Sequence, residues 1–106
     1  KKFAAAAPAV RVKDTIKVST DGAVDATPDR STLYAVQTPQ VFDRDLLAAA
    51  LQNAKTQGLA VTDDCSAVEA LGMPVQLTDG DEENIKITTP LDLELAALIL
   101  RRRAEA

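Results

Sequence analysis

The order of hydrophobic and polar residues predicts strands in four places. Residues 3–12 are mostly small or β-branched, with Pro8 as an interruption, and this composition is typical of a strand. Residues 33–37 are a further candidate, residues 74–78 alternate as strands do, and residues 84–88 form a short run with Lys86 inside it.

Three segments have the spacing of apolar residues that is typical of helices. Residues 43–57 place leucines and alanines on one face, with Asp43 as a candidate N-cap and Gly58 as the stop. A shorter helix is predicted from the Thr-Asp-Asp at 62–64 to Gly72. The last begins with Thr89 as cap and Pro90 at the first helical position, and it ends in the arginines at 101–103.

A β-hairpin is predicted between the first strand and residue 27. Residues 14–19 continue extended, Thr-Asp-Gly at 20–22 supplies a turn, and residues 23–26 return. A second polar turn follows at 27–31. Strands mixed with helices in this order predict an α/β layered domain with a projecting β-arm.

Composition narrows the function classes. The chain has 106 residues, 46% of them hydrophobic, and a net charge of −4, which argues against a general nucleic-acid binder. It has one cysteine and no histidine, so zinc sites of Cys and His and Ser-His-Asp nucleophiles are excluded. No apolar run is long enough to span a bilayer, and we expect a reducing, cytoplasmic location and no membrane partner.

Candidate chemistry centres on phosphate binding. Lys86 lies where a strand leads into a capped helix, a place where α/β proteins bind phosphorylated ligands, although an ordinary surface lysine explains it equally well. Thr15 and Arg30 flank the hairpin and could form a phosphate clamp, but spacing alone favours an exposed arm. Asp63 and Asp64 are expected to cap a helix rather than to bind a metal, and the acidic run at 79–83 is expected to be a solvated loop.

Four strings in order carry a family resemblance. They are Asp-Thr-Ile-Lys at 14–17, Asp-Arg at 29–30 followed by Leu-Tyr-Ala-Val-Gln-Thr-Pro-Gln-Val-Phe at 33–42, Thr-Asp-Asp-Cys-Ser-Ala-Val-Glu at 62–69, and the segment 80–90 with Asn-Ile-Lys-Ile-Thr-Thr-Pro. Together they resemble the C-terminal half of the 2-C-methyl-D-erythritol 4-phosphate cytidylyltransferase family, and the resemblance covers nearly the whole chain.

The resemblance implies the C-terminal part of a doubly wound, Rossmann-like nucleotidyltransferase fold. It further implies a homodimer whose β-arms, at about residues 17–33, embrace. Arg30 and Lys86 match the residues that position methylerythritol phosphate from two subunits, and Thr15 and Thr38 match substrate-side positions. The implied reaction is attack of that phosphate on the α-phosphorus of CTP, with release of pyrophosphate. Mg²⁺ would be bound mainly by the N-terminal half and CTP, with no metal or cofactor ligand in this chain.

One departure from the family pattern is large. The four glycines, at 22, 58, 72 and 80, lie in no glycine-rich phosphate loop. The N-terminal CTP-binding half is therefore expected to be absent and the chain alone inactive, residues 1–106 being a partial domain cut at an interior strand. Two alternatives stay open: a ribitol 5-phosphate cytidylyltransferase, and a non-enzymatic dimerisation module.

Overall fold

The computed structural model describes residues 4–105, so the predicted strand start at Phe3 lies outside the described residues. The elements in chain order are β1 (Ala5–Arg11), a 3₁₀ turn (Arg30–Thr32), β2 (Tyr34–Val36), β3 (Val41–Phe42), α1 (Arg44–Gln57), α2 (Asp64–Ala70), β4 (Gln76–Asp79) and α3 (Pro90–Glu105). The predicted α/β class is confirmed. None of the helices in residues 4–105 has the length and apolar composition needed to cross a bilayer.

Strand β1 is the centre of a four-stranded mixed sheet. It pairs in parallel with β4 over residues 6–9, and antiparallel with β2 at residues 9–11 and with β3 at residues 5–6. Ala9 faces both Val36 and Asp79, and Ala6 faces both Val41 and Gln76, so β2 and β3 share one edge of β1 while β4 occupies the other.

The core lies between β1 and the two helices that follow β3. Alternate residues of β1 point to this side, and Ala5 is only 1% exposed. It packs in one cluster with Ala50 and Ala54 of α1 and with Ala67 and Val68 of α2. Because nearly all of these side chains are alanine, the helices lie close to the strand, and the larger partly buried side chains close the margins: Phe42, Leu46, Leu47 and Val75.

The ends of α1 confirm the sequence prediction. Asp43 is the N-cap, and its carboxylate accepts a hydrogen bond from the Leu46 N–H at 3.1 Å. Gly58 ends the helix in the left-handed conformation with φ of 64°, and its N–H bonds back to the Ala54 and Lys55 carbonyls. A glycine adopts this φ without the penalty that a Cβ brings.

The other two helices are also capped as predicted. Asp63 caps α2 by accepting from the Ser66 N–H at 2.8 Å, which confirms capping as the structural role of Asp63. At the start of α3 the Thr89 hydroxyl accepts from the Asp92 N–H at 3.2 Å, and the Asp92 carboxylate accepts in return from the Thr89 N–H at 3.1 Å. This reciprocal pair satisfies N–H groups that the first helical turn leaves without a partner.

The strands differ from the prediction in three ways. The sequence does not predict strand β3, because two residues are too few to show a period. Residues 84–88, predicted as a strand, form none in the described structure. They pair with no strand there, and the Asn84 carbonyl accepts a hydrogen bond from the Gln37 side chain instead of from a backbone ladder. β4 also begins and ends later than the predicted residues 74–78.

The predicted β-arm is not confirmed as a two-stranded element. Residues 17–33 contain one isolated bridge, between Val18 and Ala26, and the 3₁₀ turn at its end. The turn forms where predicted, with Gly22 at φ of 97°. Every residue from 13 to 27 is exposed, so the hairpin has no apolar surface to pack on, and a lone hairpin is marginally stable in water.

Candidate functional site

A cavity of about 350 Å³ lies between the loop after β2 and the segment that leads into α3. Thr38 and Lys86, two of the four predicted site residues, both line it. Its complete lining is Val36, Gln37, Thr38, Gln40, Asp63, Asn84 and Lys86. The structure therefore brings together two residues that are 48 positions apart in sequence (86 − 38).

The loop after β2 forms one wall of the cavity. The Gln37 N–H donates to the Pro8 carbonyl at 2.8 Å, which continues the attachment of this chain segment to β1. The Thr38–Pro39 peptide bond is cis. The Thr38 carbonyl then accepts from the Asn84 side-chain amide at 2.7 Å, so the two walls are joined directly beside the predicted site residue.

The floor of the cavity is the N-terminus of α2. Gln40 bonds it twice, because its amide nitrogen donates to the Asp63 carboxylate at 3.1 Å and its carbonyl accepts from the Cys65 N–H at 3.2 Å. Hydrogen bonds from the Ser66 hydroxyl and N–H and from Gln40 outweigh burial and lower the pKa of Asp63. Asp63 is thus an anion at neutral pH whose charge is already engaged by the helix end.

Lys86 supplies the cavity with a cation that is open to a ligand. Its side chain is exposed and forms no hydrogen bond or ion pair with residues 4–105. It also borders a larger neighbouring cavity of about 570 Å³ at the base of the arm, next to Lys13 and Asp14. An ammonium group in this position can meet an anionic ligand without first breaking an internal bond.

Arg30 and Lys86 line different cavities in this chain. It begins the 3₁₀ turn and lines a separate cavity of about 330 Å³ with Arg11 and Ser31. One guanidinium nitrogen donates to the Lys13 carbonyl at 2.6 Å, and the remaining donors face solvent because the residue is exposed. A single copy of the chain does not place the two predicted phosphate-positioning cations at one site.

Thr15 is placed at neither cation. It is exposed on the arm and lines none of the cavities described above, although its neighbour Asp14 lines the cavity at the arm base together with Lys86. Its predicted role at the substrate is therefore untested by the geometry of one chain.

Two carboxylates of the acidic loop are engaged in ion pairs. Glu82 forms an ion pair with Lys13, and Glu83 pairs with Arg103 at 2.9 Å. Within residues 4–105, no three side chains of the types that bind metals come together.

A cavity of about 650 Å³, larger than the three described above, lies beside α2 and the segment before β4. It is lined by Cys65, whose pKa is raised to about 11 by burial and then by the nearby carboxylates of Asp63, Glu69 and Asp64. A thiol with this pKa is protonated at neutral pH and is a weak nucleophile. No lysine or arginine of the described chain lines this cavity, so it is a poor phosphate site.

The sequence interpretation missed the amides around the cavity. Gln37, Gln40 and Asn84 connect its walls and floor, and all three flank predicted site residues in the strings Gln-Thr-Pro-Gln and Asn-Ile-Lys. The available signal was the presence of several uncharged amides next to a lysine and a threonine. Amides both donate and accept, and hence suit the joining of irregular backbone segments.

Sequence comparison assigns a family to nearly the whole chain. The sequence model of the 2-C-methyl-D-erythritol 4-phosphate cytidylyltransferase family matches residues 1–102. A protein of that name from Desulforamulus reducens is 55% identical over 104 residues, which cover 97% of this chain and 44% of the relative. One from Synechococcus elongatus is 55% identical over 96 residues, or 90% of this chain and 41% of the relative.

Solved structures show the same similarity. The chain matches 2-C-methyl-D-erythritol 4-phosphate cytidylyltransferase from Thermus thermophilus with a TM-score of 0.81 and 39% identity, over 94% of this chain and 50% of that one. It matches 4-diphosphocytidyl-2C-methyl-D-erythritol synthase from Anaerococcus prevotii with a TM-score of 0.84 and 37% identity, over 94% and 45%. The chain spans less than half the length of the curated relatives named above.

Proposed function

Because the chain belongs to the 2-C-methyl-D-erythritol 4-phosphate cytidylyltransferase family, we propose that it supplies the methylerythritol-phosphate side of such an enzyme. The enzyme would join CTP to 2-C-methyl-D-erythritol 4-phosphate and release pyrophosphate, in the non-mevalonate route to isoprenoids. The observation that carries the proposal is the cavity shared by Thr38 and Lys86, in which the ammonium of Lys86 is open to a ligand.

The chemistry proposed needs positioning more than covalent catalysis. A phosphate oxygen of methylerythritol phosphate forms a bond to the α-phosphorus of CTP, and the bond from that phosphorus to the pyrophosphate group breaks with its electron pair. The nucleophile and the triphosphate are both anionic and repel each other. Lys86 would reduce this repulsion and hold the phosphate in line, while the Thr38 hydroxyl would bind the substrate beside it.

A second cation completes the proposed phosphate site. One ammonium group does not neutralise a phosphate dianion, and within one chain Arg30 faces a different cavity. We therefore include a homodimer in the proposal, in which the arm of one copy carries Arg30 to the Lys86 cavity of the other. Exposed Ile16, Val18 and Val24 support it, since they give the arm apolar surface for a partner chain.

Thr15 and Mg²⁺ have assigned places in this proposal. Thr15, on the same exposed arm, would approach the substrate phosphate only in the dimer. Any Mg²⁺ that accompanies CTP would be held by CTP and by groups outside residues 4–105, because the described acidic residues do not gather into a metal site. A cytoplasmic setting belongs to the same proposal and is supported by a sequence whose single cysteine cannot form an internal disulfide.

The test uses an enzyme of the relatives' full length that contains these 106 residues, hereafter the full-length enzyme. Pyrophosphate release from CTP is measured with methylerythritol phosphate and with ribitol 5-phosphate. We expect turnover with the first substrate, and a loss of about 100-fold or more in kcat/KM for Lys86→Ala and for Arg30→Ala. Lys55→Ala, an exposed lysine near the end of α1, is the matched control and should change little.

Mixing the two inactive variants tests the shared site. A dimer of one Arg30→Ala chain and one Lys86→Ala chain contains one site with both cations intact, so random mixing should restore about a quarter of the wild-type rate. No recovery in dimers shown to exchange would contradict the shared site. Full activity of both single variants, or preference for ribitol 5-phosphate, would overturn the assignment itself. Pyrophosphate release from neither substrate would favour the dimerisation module.

A further inference from the structure

The side chain of Gln37 holds the loop that leads to Lys86. Its amide nitrogen donates to the Asp81 carbonyl at 2.8 Å and to the Asn84 carbonyl at 3.2 Å, and its carbonyl oxygen accepts from the Asp81 N–H at 3.2 Å. These bonds use both polar atoms of the carboxamide, across 44 residues of sequence. A carboxylate would lack the donors and a hydrocarbon would lack both functions.

The space around this amide is closed by Gly80. Its N–H donates to the Ala9 carbonyl at 2.9 Å, so the start of the loop is attached to β1. A Cβ on Gly80 would clash with the side-chain amide oxygen of Gln37 and would lie 2.9 Å from the backbone carbonyl atoms of Ala9. Loop, strand and amide are therefore in close contact, and the position of Gln37 is set by packing as well as by hydrogen bonds.

The other attachments of the loop are weaker. Residues 84–88 pair with no strand in the described structure, and hence have no backbone ladder. Both ion pairs, Lys13 with Glu82 and Arg103 with Glu83, are between largely exposed side chains, and such pairs contribute little. Besides the bond from Gly80 to Ala9, the loop is attached by the bond from Asn84 to the carbonyl of Thr38, the residue after Gln37.

We propose that Gln37 is a positioning residue for the phosphate-binding lysine. Its carboxamide fixes the backbone two residues before Lys86 relative to the wall that carries Thr38, and so fixes the distance between the ammonium and the hydroxyl that meet the substrate. This inference rests on the proposed function. Without the amide, the loop has more conformations, and ordering it again on binding reduces the affinity for methylerythritol phosphate.

The direct test replaces Gln37 with methionine, which has nearly the same shape but lacks the donors and the carbonyl. In the full-length enzyme, Gln37→Met should raise the KM for methylerythritol phosphate about ten-fold, a factor comparable with the net contribution of a hydrogen bond. The KM for CTP should stay within about two-fold. Gln52→Met is the matched control, because Gln52 bonds only to Thr56 on the exposed face of α1 and should leave both KM values unchanged.

A double variant separates positioning from general stability. If Gln37 acts through Lys86, then adding Gln37→Met to Lys86→Met should raise the KM for methylerythritol phosphate by less than about two-fold further. The group that Gln37 positions is already absent from that background. The same ten-fold loss in both backgrounds, or an equal rise in the KM for CTP, would overturn the inference. Lys86→Met without effect on the KM for methylerythritol phosphate would instead overturn the proposed function.

A second variant, Gln37→Glu, is used if Gln37→Met fails to fold, as judged by the lack of a cooperative unfolding transition. Gln37→Glu keeps the size of the side chain and the acceptor for the Asp81 N–H, but it turns an anionic oxygen toward the carbonyls of Asp81 and Asn84. It should give the same selective rise in the KM for methylerythritol phosphate, with the melting temperature near that of Gln52→Met. An unchanged KM in a folded Gln37→Glu enzyme contradicts the positioning role.

Discussion

The layer of β1, α1 and α2 and the segment 13–27, which includes the first part of the arm, contain similar apolar residues in opposite environments. In the layer, Ala50, Ala67 and Val68 are 0% exposed, and helix ends are capped by side chains. In residues 13–27 every residue is exposed, Val24 is 58% exposed, and one bridge holds the turn. The layer therefore carries the stability of the chain, while the arm has apolar surface that no residue of the described chain covers.

The largest expected effect is a charge placed inside the layer. Ala50→Asp buries a carboxylate without a partner and should destabilise the chain by about 3 kcal/mol or more. Ala49→Asp is the matched control, since it makes the same change one residue earlier on the exposed side of α1. Thermal unfolding followed by circular dichroism should show a melting temperature about 12 °C or more below the control. Equal melting temperatures would mean that the layer is not the core.

A smaller effect on the melting temperature is expected from alanine substitutions at two glycines with positive φ, one in each region. Gly58 ends α1 at φ of 64° and Gly22 turns the arm at 97°, and a Cβ would meet nothing within 4 Å at either position. Alanine therefore brings backbone strain alone, about 1–2 kcal/mol. Gly58→Ala should lower the melting temperature by about 4–8 °C. Gly22→Ala should leave it unchanged, because the arm opens without the core; an equal loss would show that the arm and the layer unfold together.

The smallest expected effect is on how the melting temperature depends on pH. The folded pKa of Asp63 is lowered by its bonds from Ser66 and Gln40, so the unfolded chain binds a proton more readily. The stabilisation is complete above the unfolded pKa of about 3.9 and is lost as the pH falls through the lower folded value. Asp63→Asn keeps the capping acceptor but cannot titrate. It should therefore flatten the fall in melting temperature between about pH 5 and about pH 3, the range around that pKa.

The control for this change is the next carboxylate along α2. Asp64→Asn removes the same charge from an exposed side chain in the first turn, without the bonds that Asp63 receives. Its pH profile should follow that of the unmodified chain. If both variants flatten the profile equally, net charge rather than the capping bonds of Asp63 governs the acid sensitivity.

Local features could be predicted from the sequence because neighbouring residues decide them. The small and β-branched residues of 3–12 predict a strand, and the caps Asp43, Asp63 and Thr89 predict helix starts, since a cap bonds to groups two or three residues away. Gly58 and Gly22 follow in the same way from their need for positive φ. The family strings also match Lys86 and Thr38 to substrate-side positions of the family, and that role stays a prediction.

Only the tertiary structure decided how these parts meet. The two-residue β3, the lack of a strand at 84–88 and the reach of Gln37 to a loop 44 residues away depend on which segments lie side by side. The same holds for the cavity that joins Thr38 to Lys86 and for the separation of Arg30 from it. Such contacts depend on long-range packing against β1. The periodicity of apolar residues and the helix caps are local features, so they contain no information about these contacts.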